Sequence, residues 1–137
     1  MKNKKQQIGV LAILKNNDKY LFIKRHPKSK YEGGKWGFVG ENIEFGEQPT
    51  DTLKRGVKEE LGLEIDNFKL FNVYSGVWEI TDEIKQVILI AYIINVGNVD
   101  VRINSEAEAF RWLTLKEAKK LDLIKHNDKV LSDLDKI

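Results

Sequence analysis

The sequence predicts an α+β domain, a central mixed β-sheet with helices laid on its faces. Three observations lead there. Two short β-branched, aliphatic runs open the chain, one amphipathic helical stretch interrupts it, and two long strand-like runs precede a helical end. At 137 residues the chain can bury a full core without staples, and no linker, repeat or low-complexity stretch divides it. Residues 1–137 are therefore expected to form a single domain.

Taken in order, Ile8 to Lys15 reads as a strand, Asn16-Asn17-Asp18 as a turn and Tyr20 to Lys24 as the returning strand of a hairpin. His26 to Lys35 is a polar loop with Pro27 and the pair Gly33-Gly34, and Trp36 to Val39 is a short strand. A helix should start near Pro49, since proline suits the first turn, and stop at Gly62. Leu53, Val57 and Leu61 recur every four residues and form its buried stripe. Phe68 to Ile80 and Ile84 to Val96 read as two long strands around Thr81-Asp82-Glu83, and Glu108 to Leu113 as a further short one. Thr114-Leu-Lys-Glu117 matches a capping box, so a helix follows it, and a last amphipathic helix begins near Asn127.

Composition narrows the function classes. The content of 42% hydrophobic and 32% charged residues is that of an ordinary globule, and a formal charge of +2 is too small to imply a nucleic-acid partner. No cysteine is present, which excludes disulfides, thiolate metal sites and cysteine nucleophiles. The basic start, Met1 to Lys5, lacks a following apolar stretch of signal-peptide length and is expected to be a frayed, solvated end. Val87 to Ile94, the longest apolar run, is far too short to span a membrane and is either core or a dimer edge. The expectation is a cytoplasmic monomer or homodimer.

The chemistry concentrates between Gly40 and Leu63. A glycine-bearing loop, Gly40-Glu-Asn-Ile-Glu-Phe-Gly-Glu47, feeds a helix that ends in the carboxylate pair Glu59 and Glu60. Oxygen ligands at such a junction suit Mg²⁺, which in proteins commonly handles phosphate oxygens. Positions 56 and 60 are about 40° apart around a helix and positions 56 and 59 about 60°, so all three project from neighbouring parts of its surface. Arg55 stands one turn before Glu59 and can pair with it or with Glu47. A Glu-Glu pair alone is also what a solvated helix face looks like.

This run resembles the Nudix box, Gly-x5-Glu-x7-Arg-Glu-U-x-Glu-Glu-x-Gly-U, where U is a bulky aliphatic. Glu47, Arg55, Val57, Glu59, Glu60, Gly62 and Leu63 fall in place. Trp36-Gly-Phe-Val-Gly40 resembles the strand and turn before the box, and Phe110 to Glu117 the family's closing strand and helix. The resemblance implies the Nudix fold, an α/β/α sandwich around a mixed sheet. Two positions depart from the pattern: the box glycine falls on Glu41, and the glutamate after the arginine falls on Gly56. In relatives that glutamate is a metal ligand or the base that activates water. Glu and Gly have in effect exchanged places. Either the Glu41 carboxylate restores the charge lost at 56, or Glu41 is a solvated loop residue and the site is weakened.

Carried over residue by residue, the resemblance implies Glu59, Glu60, Glu41 and the Gly40 carbonyl as ligands of Mg²⁺ or Mn²⁺, with Glu47 and Arg55 as the pair that orients them. An acid from a loop after the long strands is also expected, Glu106 first and Glu108 behind it. Arg25, Lys24 and Lys35 are candidates to meet phosphate, and Trp78, Trp36, Tyr74 and Phe38 to stack a base or sugar; Trp112 is expected in the core. The implied reaction is hydrolysis of a nucleoside diphosphate linked to X, with small nucleoside triphosphate pyrophosphohydrolases the nearest pattern. Two alternatives stand beside it. Tyr74 to Trp78 and His126-Asn127 resemble GDP-mannose mannosyl hydrolases, where a histidine serves as base for attack on sugar carbon. Gly56 instead motivates a silent module that binds a nucleotide.

Overall fold

The computed structural model describes residues 1–137. Its strands are β1 (Asn3–Asn16), β2 (Lys19–Arg25), β3 (Trp36–Gly37), β4 (Val39–Asn42), β5 (Phe68–Ile80), β6 (Glu83–Asn95) and β7 (Ala107–Leu113); its helices are α1 (Pro49–Leu61), α2 (Leu115–Ala118) and α3 (Asn127–Leu134). The main path of the sheet runs β3-β2-β1-β6-β5, with β4 added to β1 and β7 to β2. The sheet is mixed: β1 and β6 run parallel, from Asn3 opposite Glu83 to Lys15 opposite Asn95, and the other pairs are antiparallel.

Side-chain alternation along β1 divides the core in two. Val10, Ala12 and Leu14 face α1, whose Leu53, Val57 and Leu61 are all buried. Leu11 and Ile13 face the opposite layer with Phe22, Ala118, Val130, Leu131 and Leu134. The stripe read from the sequence is thus the contact that seats α1, each buried side chain contributing about 1.5–3 kcal/mol. Helices on both faces give the sandwich, and the fold is α+β.

Local chemistry explains the element ends. Pro49 occupies the first turn of α1, and Gly62 closes it at φ 69°, its N–H reaching the Lys58 carbonyl at 3.0 Å. Such a left-handed cap favours glycine because it has no Cβ to clash. At Thr114 the predicted capping box forms in both directions.

Two expectations are corrected and one alternative is decided. Residues 3–5 belong to β1, held parallel to Glu83–Lys85, because β6 offers a partner strand that extends that far. The strand expected at Trp36 to Val39 is two strands, and between them the Phe38 N–H donates to Asn127 Oδ1 at 3.1 Å. Val87 to Ile94 lies inside the sheet, between β1 and β5, so it is no edge; β5 is the outer strand. No helix is long and apolar enough to cross a membrane.

Candidate active site

The loop before α1 and the helix itself are locked together by Arg55. Its Nε and Nη2 donate to both carboxylate oxygens of Glu47, each at 2.9 Å, and Nη2 also reaches the Asn42 carbonyl at 2.9 Å. Nη1 lies 3.5 Å from Glu41, 3.6 Å from Glu44 and 3.6 Å from Glu59. Glu47 also accepts the Thr52 hydroxyl at 2.6 Å and the Glu44 N–H at 3.1 Å. The guanidinium fork and the hydroxyl stabilise the charged form and hold the Glu47 carboxyl down at about 2. Arg55 is correspondingly pushed up, chiefly by Glu47. The expected supporting pair is brought together as the box implies, with Thr52 as a third member that the sequence reading missed.

Glu60 differs sharply from its neighbour. Its side chain is buried, 7% exposed, and its Oε2 has no hydrogen-bond partner. Burial pushes its carboxyl well above the ordinary range; the charges of Glu41 and Glu106 and a hydrogen bond with Glu41 add to that, and Arg25 opposes it. Glu59 instead turns outward, 57% exposed, beside Arg55.

The reason for Gly56 is visible here. A Cβ at position 56 would stand 2.7 Å from Glu41 Cβ and 3.0 Å from its Cγ. Glu41 thus occupies the space that a side chain at 56 would take, and its Oε2 lies 3.5 Å from that point. A mid-helix glycine costs about 1 kcal/mol relative to alanine, and close approach of Glu41 accounts for it.

Glu106 joins from the loop before β7. The Asn104 side chain fixes this loop, donating to the Glu59 carbonyl at 3.1 Å and accepting the Glu106 N–H at 3.0 Å. Glu108 points elsewhere, 3.7 Å from Lys24. Glu41, Glu60 and Glu106 therefore share one corner, together with Gly40, of a cavity of about 600 Å³. No three acidic or imidazole groups close into a complete cage. Like charges held near a buried, unpartnered Glu60 oxygen are nevertheless a donor set that a divalent cation would relieve. The oxygens of Glu60, Glu41 and Glu106 and the Gly40 carbonyl are of the kind such an ion takes, in a set that is not closed around it.

The rest of the cavity is lined by Tyr31, Lys85, Tyr74, Trp78 and His126, with Arg25 near enough to both Glu60 and Lys85 for each to feel its charge. Trp78 donates its indole N–H to Glu32 at 3.1 Å and meets the His126 ring edge-on at 5.4 Å. The His126 Nε2 is buried without a partner. Tyr74 donates to Asp133 at 2.8 Å, which anchors α3 and turns its hydroxyl to a structural use.

Of the residues expected to meet phosphate or a base, Lys24, Lys35 and Trp36 lie outside the cavity. Lys35 is tied to Glu32 at 2.9 Å, because the Gly33-Gly34 turn folds it back over that carboxylate. Trp36 is buried beneath Arg111, 5.1 Å from its ring, and Trp112 packs against the α1-side core. Phe38 stacks on Phe22 at 4.8 Å, although it also borders the cavity. Lys85, which the sequence reading passed over, carried a usable signal: Lys85, Val87 and Leu89 alternate along β6 and line the same wall.

The NUDIX domain family matches residues 5–134 of this chain. The chain belongs to the Nudix family. Among curated relatives, the nucleoside triphosphatase NudI of Enterobacter sp. (strain 638) is 30% identical over 130 residues, spanning 87% of this chain and 89% of NudI. The 8-oxo-dGTP diphosphatase of Escherichia coli (strain K12) is 37% identical over 68 residues, 50% of this chain and 52% of its own. The MutT NUDIX hydrolase of Burkholderia pseudomallei superposes with a TM-score of 0.79 at 22% identity, covering 93% of this chain and 97% of that one. The NUDIX domain of Shewanella oneidensis NrtR, solved with ADP ribose, gives 0.78 at 15% identity over 96% and 87%. These structures share the Nudix fold. The chain is a Nudix hydrolase, of a family that generally uses a divalent metal ion.

Proposed function

We propose that this Nudix hydrolase is a Mg²⁺-dependent nucleoside triphosphate pyrophosphohydrolase, releasing a nucleoside monophosphate and pyrophosphate. The observation that carries the reading is the single cavity lined by Glu41, Glu60 and Glu106 at one end, Arg25 beside them and Trp78 across from them. Anionic ligands for a cation, a cation for phosphate and an aromatic surface for a base are the three things such a substrate needs. The names of the relatives, nucleoside triphosphatase and 8-oxo-dGTP diphosphatase, agree with it.

Within this reading Glu60, Glu41, Glu106 and the Gly40 carbonyl hold Mg²⁺, or Mn²⁺ in its place, with Glu59 at the outer edge. The bound ion would neutralise phosphate oxygens and lower the pKa of water. Glu41 stands in the space of the missing side chain at 56 and takes over its carboxylate role. Arg55 and Glu47 act as positioning residues: by fixing the loop against α1 they fix Glu41 relative to Glu60. Water oxygen bonds to phosphorus, the bridging P–O bond breaks with its electron pair leaving on pyrophosphate, and the water proton passes to a carboxylate. Arg25 offsets the charge of the phosphate chain.

A second reading is favoured by one observation, the buried, unpartnered Nε2 of His126 in the cavity wall. As a base for water it would serve attack on the sugar carbon of a GDP-sugar. Turnover with Mg²⁺ or Mn²⁺ across nucleoside triphosphates and nucleotide sugars, with product analysis, tests both. Monophosphate plus pyrophosphate supports the first reading. An intact nucleoside diphosphate and a free sugar support the second. Glu60→Gln is expected to abolish turnover together with the rise in melting temperature on adding Mg²⁺; retention of both would refute the ion-holding role.

A further inference from the structure

Three cations that line the cavity, Arg25, Lys30 and Lys85, lie close together on one side of it, with Lys5 behind them, and the buried carboxylate of Glu83 pairs with two of the four. Lys5 and Lys30 reach Glu83 at 2.6 and 3.6 Å. Two ammonium groups also lie over the Tyr31 ring, Lys85 at 4.7 Å and Lys30 at 5.7 Å from its centroid. Arg25 and Lys85 make no ion pair at contact distance, although Lys85 feels the charge of Glu83 and Arg25 that of Glu60. The Arg25 Nε and the Tyr31 hydroxyl are both buried without any hydrogen-bond partner. Burial pulls the Lys85 ammonium below the ordinary lysine value, against the charge of Glu83 and with help from Lys5, Arg25 and Lys30.

An unpaired buried donor costs about 1–3 kcal/mol, more when charged, so two in the lining of one cavity, beside the ammonium groups of Lys30 and Lys85, call for an anion. Arg25 ties this corner to the carboxylates, since its charge is felt by both Glu60 and Lys85. Arg25, Lys30, Tyr31, Lys85 and Glu60 line the same cavity, whereas Lys5 and Glu83 stand behind its wall. We propose that Arg25, Tyr31 and Lys85 form an anion subsite that takes a phosphate group of the substrate at the end of its phosphate chain turned away from the carboxylates. The subsite selects a polyphosphate over a nucleotide whose X group is an uncharged sugar. This deepens the triphosphate reading above and rests on it for the identity of the ligand, though not for the anion site itself.

The test separates the two. Binding of inorganic pyrophosphate to the metal-free protein is measured by calorimetry for wild type, Lys85→Met, Lys85→Arg and Tyr31→Phe. Loss of one charge-assisted bond predicts about tenfold weaker binding for Lys85→Met, a smaller loss for Tyr31→Phe, and recovery in Lys85→Arg. In turnover, the preference of Lys85→Met for a nucleoside triphosphate over a GDP-sugar, as kcat/KM, falls about tenfold. Pyrophosphate binding that is lost in Lys85→Met, in a protein that hydrolyses no triphosphate, upholds the subsite and overturns the triphosphate reading. Triphosphate hydrolysis with equal pyrophosphate affinity in wild type and Lys85→Met overturns the subsite alone.

Discussion

Glu41 lies over Gly56 so closely that a Cβ at 56 would be 2.7 Å from its own Cβ. The two residues are therefore sterically coupled, and on the function proposed above they act as one unit, the carboxylate coming from the loop because the helix leaves room for it. Gly56→Ala gains about 1 kcal/mol of helix propensity but forces Glu41 aside, and overpacking of this kind costs about 1–3 kcal/mol. The expected result is a lower melting temperature and at least tenfold lower turnover. Glu41→Gly alone removes the carboxylate and should be as inactive. The double exchange, Glu41→Gly with Gly56→Glu, restores both the space and the charge. Thermal unfolding and turnover of wild type, Glu41→Gly, Gly56→Glu and the double exchange would show coupling of about 1 kcal/mol or more; strictly additive losses would contradict the unit.

Acid should attack the Arg55–Glu47 lock. The folded protein holds Glu47 at about 2, below its ordinary 4.5. A depressed carboxyl contributes stability above the unfolded value and loses it as pH falls through the folded one. Melting temperature is therefore expected to drop between about pH 4.5 and pH 2, and Glu47→Gln, measured across the same range, to show a flatter slope. Arg55→Lys keeps the charge but not the fork that grips both oxygens, and should lower turnover at least tenfold.

Asn104 is predicted to matter for the metal without touching it. Its amide joins the Glu59 carbonyl to the Glu106 N–H. Asn104→Ala should cost about 1 kcal/mol and weaken Mg²⁺ binding severalfold, read from the Mg²⁺ dependence of the melting temperature. Glu108→Gln, by contrast, removes only an exposed pairing with Lys24 and should leave that dependence unchanged.

Gly76 leaves room for the cavity wall. A Cβ there would run into the His126 ring and stand 2.9 Å from both its Nε2 and Trp78. Gly76→Ala is expected to raise KM by about tenfold, in proportion to about 1–3 kcal/mol of overpacking, while Trp78 fluorescence reports the displaced ring.

What could be read beforehand was what is written locally. The period of Leu53, Val57 and Leu61, the proline and glycine at the ends of α1, and the box at Thr114 each act within a few residues. The parallel pairing of β1 with β6 joins segments about eighty residues apart, and nothing near Met1 to Lys5 announces it. The same distance hid the basic side of the cavity. Lys35 sits beside the motif in sequence, but the turn before it hands it to Glu32, whereas Lys85 arrives from another strand. Glu106 and Glu108 differ by two residues, and the choice between them is made by Asn104. Glu59 and Glu60 are adjacent, yet the seating of α1 buries one and leaves the other to solvent.

The two halves of the site come from distant parts of the chain. The carboxylates Glu41 and Glu60 and the Arg55 lock belong to the first half, whereas Lys125, His126, Asn127 and Val130 supply a wall from the last helix and the turn before it. Asn127 also holds the Phe38 N–H across 89 residues. In a growing chain Glu41 and Glu60 are made early, but Glu106 joins them only shortly before the His126 wall follows. The cavity therefore cannot close on that side until α3 has emerged and docked.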